Sequence, residues 1–139
     1  MCAADLSRFI EAQEGVFGRA LGEIRSGRKA SHWMWFIFPQ IDGLGASAMA
    51  QRYAIRDLAE AEAYIRHRVL GPRLIECAEA ALAVEGKSAT EIFGYPDDLK
   101  LRSCATLFAH VSPPGSVFER LLAKYFRGGP DDRTIRLLR

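Results

Sequence analysis

The sequence predicts a mainly α protein: a single compact domain of about seven or eight helices, with one short extended aromatic segment near residues 33–38. Three observations carry this. Apolar residues recur at the three- and four-residue spacing of one helix face along most of the chain. Cap-type residues, Gly and Pro cut that pattern into helix-length pieces. No series of alternating strands is present, and only Trp33 to Phe38 is apolar at six consecutive positions.

Taken in order, Leu6, Phe9, Ile10, Gln13, Phe17, Leu21 and Ile24 mark one face of a first helix. Asp5 or Ser7 can start it and Gly27 can end it. Gly15, Gly18 and Gly22 weaken it, each by up to about 1 kcal/mol against Ala. In Trp33–Phe38 both alternating sides are apolar, so the segment is expected to be extended and buried on both faces. Pro39 pushes Phe38 out of helical angles. Asp42, Gly43 and Gly45 mark a loop, and a short helix is expected from about Ser47 to Tyr53.

Three reciprocal N-terminal caps are then predicted, at Asp57 with Glu60, Ser88 with Glu91 and Ser116 with Glu119. Gly71-Pro72 opens another helix, which stops at Gly86. A helix after Pro96-Asp97 carries Leu101, Cys104, Ala105 and Phe108 on one face until Pro113-Pro114-Gly115 breaks it. Phe118, Leu121, Leu122, Tyr125 and Phe126 line the next, which Gly128-Gly129-Pro130 ends. Asp131 or Asp132 can cap a last short helix holding Ile135 and Leu138.

A chain of 139 residues suits one domain, spanning 1–139. It is long enough to bury a core without metal or disulfide staples. Its 49% hydrophobic and 26% charged residues are those of a soluble globular protein. The net charge of +2 is too weak, and Lys and Arg too interspersed with acids, to argue for nucleic acid. Cys2, Cys77 and Cys104 form no CxxC pair and read as reduced thiols, which points to a cytoplasmic protein. Met1 to Asp5 shows no basic and apolar leader pattern. The run at 33–38 is far too short to span a bilayer, so no membrane partner is expected.

The segment Gly27-Arg28-Lys29-Ala30-Ser31-His32-Trp33-Met34-Trp35-Phe36-Ile37-Phe38-Pro39-Gln40 is the richest in chemistry. Two fixed cations, a hydroxyl and an imidazole within five residues suit an anionic oxygen such as a phosphate or carboxylate. Trp33 or Trp35 offers a flat surface for a base or sugar. The bland alternative makes the cations a solvated loop and the tryptophans core. Asp97, Asp98, Lys100 and Ser103 form a second polar cluster at a helix start, where an acid either caps the helix or orients a ribose or acts in acid–base chemistry.

Other motifs carry less. Gly43-Leu44-Gly45-Ala46-Ser47-Ala48 has the G-x-G-x-x-A spacing but no second strand for a dinucleotide fold; it reads as an ordinary turn, the alternative being an anion held by its amides at the helix start. There is no GxSxG or Walker loop, and His32, His67 and His110 lack metal-ligand spacing, so no cofactor and no metal is assigned. Cys104 sits on an apolar helix face, which favours a buried, inert thiol. Gln13, on the apolar face of the first helix, must find hydrogen bonds there.

The strings Gly27 to Gln40, Gly43-Leu44-Gly45 and Tyr53-Ala54-Ile55 resemble the domain-of-unknown-function family numbered 1810. So do His67-Arg68-Val69-Leu70-Gly71-Pro72-Arg73-Leu74, Ile92-Phe93-Gly94, Asp98 to Ser103 and Lys124-Tyr125-Phe126. The likeness runs from about Leu6 to Leu138. It implies a small, mainly helical protein and no established activity. Some members carry a calpastatin-like label, but inhibitory calpastatin segments resemble flexible repeats rather than a Trp-rich domain.

The leading expectation is a Trp-walled pocket for a small anionic, phosphorylated or nucleotide-like ligand, with hydrolysis or transfer left open. Trp33 and Trp35 wall it, Arg28, Lys29, Ser31 and His32 hold the anion, and Gln40, Asp98 and Lys100 fix polar groups. His32 or Asp98 is the candidate base. Lys29→Ala and His32→Ala are then expected to spare stability and abolish binding. The rival is a non-catalytic protein–protein interaction module. A cavity of roughly 300 Å³ or more beside His32 favours the first, and a flat apolar patch the second.

Overall fold

Ten helices follow one another in the computed structural model, which describes residues 5–139. They are α1 (Ser7–Gln13), α2 (Phe17–Arg25), α3 (Met34–Ile37), α4 (Ala48–Arg52), α5 (Leu58–Arg66), α6 (Leu70–Ala83), α7 (Ala89–Phe93), α8 (Asp97–Ala109), α9 (Val117–Phe126) and α10 (Asp132–Leu137). Cys2 and the rest of Met1 to Ala4, where no leader pattern was read, lie outside the described residues. The all-helical architecture is the one the periodicity predicts. The split of the first predicted helix into α1 and α2, and the unpredicted turn α3, carry the number past eight. None of the described helices is long and apolar enough to cross a membrane.

The hub is α8, which packs against α5, α7, α9 and α10. Leu101 and every residue from Ser103 to Phe108 are buried. A helix enclosed on all sides loses its polar face, so the single predicted stripe of Leu101, Cys104, Ala105 and Phe108 understates how much of it is core. Its buried hydroxyls stay satisfied inside the helix: Thr106 Oγ1 donates to the Arg102 carbonyl at 2.8 Å and Ser103 Oγ to the Leu99 carbonyl at 3.1 Å. Around this hub, α6 packs against α2, α5 and α9.

The predicted first helix is two. It breaks between Gln13 and Phe17, where Gly15 takes a φ of 71°, open to glycine at no steric cost. The break leaves Gln13 buried and fully used. Its Nε2 donates to the Phe36 carbonyl at 2.8 Å and the Tyr64 hydroxyl at 3.1 Å, and its Oε1 accepts from Arg73 at 3.2 Å.

Residues 33–38 are not extended. Met34–Ile37 wind into one helical turn, with the Phe36 and Ile37 N–H groups donating to the Trp33 carbonyl at 3.4 and 3.1 Å. Trp33, Met34, Phe36, Ile37 and Phe38 are all buried. A segment with apolar neighbours on every side shows no periodicity, so its pattern does not separate strand from helix. Pro39 does act as expected: Phe38 sits at φ −123°, ψ 73° and ends the turn. Beyond it, Ile41 and Ile55 form an isolated parallel bridge, closed by the Ile55 N–H on the Gln40 carbonyl at 2.8 Å and the Asp42 N–H on the Ile55 carbonyl at 2.7 Å.

All three predicted caps accept from the N3 amide, at Asp57, Ser88 and Ser116. Only Ser88–Glu91 closes in both directions. Glu60 and Glu119 instead accept from the amide one residue earlier, Arg56 N–H at 3.1 Å and Gly115 N–H at 2.6 Å. Glu60 also pairs with Arg8 at 3.0 Å, tying α1 to α5. Asp131 caps α10. Neither Asp97 nor Asp98 caps α8; both lie in its first turn and are taken by partners elsewhere.

Candidate functional site

The basic segment after α2 is built around Glu23. Its carboxylate accepts from the Ala30 N–H at 2.8 Å, the Ser31 N–H at 3.0 Å, Ser31 Oγ at 2.6 Å and the Trp33 indole N–H at 2.8 Å. Burial pushes the Glu23 carboxyl up, but the bonds from Ser31, Ala30 and Trp33 outweigh it and hold the group at about 2. Ser31 and Trp33 are thereby spent on structure. Trp33 is 1% exposed and meets Phe93 edge to face at 6.4 Å, so it is core and walls no cavity. Arg28 and His32 are exposed.

Lys29 turns inward. Its ammonium lies 2.9 Å from Asp97 Oδ2 and 4.9 Å over the Trp33 ring. The other Asp97 oxygen meets Lys100 at 3.3 Å. Lys100 in turn stands 4.9 Å over the Trp35 ring. The cluster at 97–103 therefore faces the segment at 28–40, joined by one carboxylate shared between two lysines. Asp98 is buried beside it and accepts from Thr90 Oγ1 at 2.6 Å and the Leu99 N–H at 2.9 Å.

On the Lys100 side opens a cavity of about 430 Å³. Its walls come from α3 and the loop after it, from the end of α4, from the first two turns of α8, and from the start of α10. Trp35, Gln40 and Lys100 meet there, as the sequence reading placed them in one site. Arg28, Lys29, Ser31, His32, Trp33 and Asp98 do not line it. Gly45, Ala46 and Ser47 of the glycine-rich loop do, where Ser47 caps α4 by accepting from the Ala50 N–H at 3.1 Å.

Four lining residues were not singled out from sequence: Tyr53, Arg102, Asp131 and Arg133. Arg102 donates from Nε to the Gly129 carbonyl at 2.9 Å and lies 5.7 Å over the Phe126 ring. Arg133 is exposed and reaches the Leu44 carbonyl at 3.4 Å, a long and weak bond. Asp131 is occupied: one oxygen accepts from the Thr134 N–H at 3.0 Å, Thr134 Oγ1 at 2.6 Å and Ser103 Oγ at 3.2 Å. The family-like strings contained two of the four, Tyr53 and Arg102, and Asp131 was read only as a cap. Arg133 sits on a helix whose sequence reads as an ordinary polar face.

The cavity is thus lined by three cations, Lys100, Arg102 and Arg133, against the single carboxylate of Asp131. Among the described residues neither guanidinium forms an ion pair. A second hollow of about 440 Å³, between α2 and α6, contrasts with it: there Arg25 already pairs with Glu76 at 3.2 Å. The thiols of Cys77 and Cys104 lie in neither. Both are buried, and burial pushes Cys77 up to about 12 and Cys104 well above its ordinary value.

Comparison with known proteins agrees with this picture of a helical domain without an assigned chemistry. The crystal structure of the conserved hypothetical protein Rv1873 from Mycobacterium tuberculosis superposes with a TM-score of 0.94. It shares 54% identity over 96% of each chain. No curated protein matches. The family described as "Protein of unknown function (DUF1810)" matches residues 3–138, and this chain belongs to it.

Proposed function

We propose that the chain binds a small anionic, phosphorylated or nucleotide-like molecule in the cavity between α3, α4, α8 and α10. One observation carries the reading: a concave space of about 430 Å³ lined by Lys100, which already meets Asp97, and by two guanidinium groups that form no ion pair among the described residues, against one lining carboxylate. Planar guanidinium forks match phosphate and carboxylate oxygens two at a time. A surplus of positive charge in a recess costs stability unless an anion balances it.

The geometry supports binding more than catalysis. Asp131 is committed to capping α10 and Asp98 to Thr90, and His32 lies outside the cavity. The one carboxylate among the lining residues, Asp131, keeps only its Oδ1 unbonded, because Oδ2 is taken by Ser103 and Thr134.

The test is a thermal-shift screen with orthophosphate, pyrophosphate, sugar phosphates, nucleotides and dicarboxylates. A probe at 100 times its dissociation constant adds about 2.7 kcal/mol, which moves the midpoint of a domain this size by several degrees. The shift is expected to survive in His32→Ala and to vanish in the double variant Arg102→Ala/Arg133→Ala. A shift that persists in the double variant overturns the reading.

The second reading, a non-catalytic protein–protein interaction module, draws on the rim. Tyr95 is 78% exposed and Leu99 46%, flanking Pro96 where α7 meets α8. If no probe shifts the midpoint, while a pulled-down partner is lost in Tyr95→Ser and Leu99→Ser, this reading takes the lead.

A further inference from the structure

We infer that the cavity reads a ring as well as an anion, and that its ligand class is a nucleoside monophosphate whose base edge is bonded by Tyr53 and Gln40. This deepens the reading above and rests on it. Tyr53 is 8% exposed, with its ring packed between Phe9 at 5.9 Å, Phe36 at 5.3 Å and the Arg52 guanidinium at 5.6 Å. A phenol so enclosed normally finds a hydrogen-bond partner in the protein. This hydroxyl has none among the described residues, and no fully buried side-chain polar atom is left without one. The hydroxyl is therefore not sealed in the interior, and Tyr53 lines the cavity.

Gln40 is held in the same way, by its backbone alone. Its carbonyl accepts from the Ile55 N–H at 2.8 Å, beside the Ile41–Ile55 bridge that sets Gln40 and Tyr53 on adjoining segments. Its half-buried carboxamide makes no hydrogen bond among the described residues and lines the same cavity. A carboxamide presents donors and an acceptor in one plane. That is the pattern of adjacent donors and acceptors on the edge of a nucleobase.

An inorganic anion or a dicarboxylate would use the cations and leave both groups idle. Ile41, Leu44 and Leu99 add the apolar wall that the faces of a ring need. At about 430 Å³ the space lies near the small end of ligand cavities, roughly 300–1,000 Å³, which suits one base, one sugar and one phosphate rather than a dinucleotide.

The experiment is isothermal titration of the full chain with inorganic phosphate, ribose 5-phosphate, and the monophosphates of adenosine, guanosine, cytidine and uridine. It is run on the wild type, Tyr53→Phe, Gln40→Leu and His32→Ala, with each variant's fold checked by its melting curve. At least one nucleotide is expected to bind tenfold or more tighter than ribose 5-phosphate. That ratio is expected to fall towards one in Tyr53→Phe and in Gln40→Leu, and to hold in His32→Ala. Equal affinity for ribose 5-phosphate and every nucleotide overturns the inference and leaves the anion site standing. A ratio preserved in both variants overturns the assignment of Tyr53 and Gln40. Failure of every probe to bind overturns the anion reading, and this inference with it.

Discussion

Asp97 holds the ammonium of Lys29 at 2.9 Å, with the Lys29 side chain only 7% exposed. Lys29 is therefore a staple between the loop after α2 and the start of α8, where sequence alone made it an anion ligand. Removing one partner of a buried pair strands the other charge. The cost here is softened because Asp97 keeps Lys100 at 3.3 Å. Lys29→Met is expected to lower stability by about 1–3 kcal/mol in urea melts, below the cost of about 3–5 kcal/mol for a fully buried pair. His32→Ala, at an exposed position, is expected to stay within about 0.5 kcal/mol of wild type. Equal stability of the two variants would show that the Lys29–Asp97 contact contributes nothing.

The two tryptophans, adjacent but for Met34, are expected to separate cleanly. Trp33 is 1% exposed, and its indole N–H is bonded to Glu23, so Trp33→Ala is expected to cost about 3–5 kcal/mol. Trp35 is half-buried, lines the cavity and supports the Lys100 ammonium 4.9 Å above its ring. Trp35→Ala is expected to cost less stability and more function, because a cation–π contact worth about 0.5–2 kcal/mol orients Lys100. Urea melts and orthophosphate titration on both variants check this. A larger stability loss in Trp35→Ala than in Trp33→Ala contradicts it.

Glu23 gives the fold a defined acid sensitivity. Its carboxyl sits at about 2 in the folded chain against an ordinary 4.5. A group held below its unfolded value stabilises the fold fully above the unfolded value, and that stabilisation is lost as pH falls from about 5 towards 2. Glu23→Gln removes this contribution at neutral pH and flattens the slope. Asp5 and Glu91 are also lowered, by hydrogen bonds with Ser7 and Ser88. They titrate alike in both proteins, so the difference isolates Glu23. Urea melts from pH 6 to 2.5 are expected to converge at the acid end; parallel curves would mean that the carboxylate does not pin the loop.

These cases show where the sequence is legible. Helix faces and caps are local, so Ser88, Ser116 and Asp57 announced their roles three residues ahead of the amides they bind. The partner of a charge is not local. Nothing near Lys29 points to Asp97, and nothing near Trp33 says that Glu23, ten residues earlier, takes its indole N–H. Residue types that suit an anion equally suit an internal staple. Composition therefore placed Trp35, Gln40 and Lys100 in the cavity together with residues that lie elsewhere. Arg102 follows Lys100 on α8 and Arg133 arrives from α10, and only tertiary packing brings the two arginines to the same wall.

Those two arginines should not behave alike. Arg102 is anchored: its Nε bonds the Gly129 carbonyl at 2.9 Å, its guanidinium lies over Phe126, and a Cβ on Gly129 would come within 2.9 Å of it. It helps hold the turn after α9 against α8. Arg133 has one long bond of 3.4 Å to Leu44 and an exposed side chain. Arg102→Ala is expected to lose about 1 kcal/mol of stability with its hydrogen bond, as well as weakening anion binding. Arg133→Ala is expected to leave the melting curve within about 0.5 kcal/mol of wild type and to weaken binding alone. It should also flatten the salt dependence, because one fewer exposed cation attracts the ligand. Titration of orthophosphate at low and high sodium chloride reads both effects. An unchanged affinity in Arg133→Ala at low salt would remove Arg133 from the site and leave Lys100 and Arg102 to hold the anion.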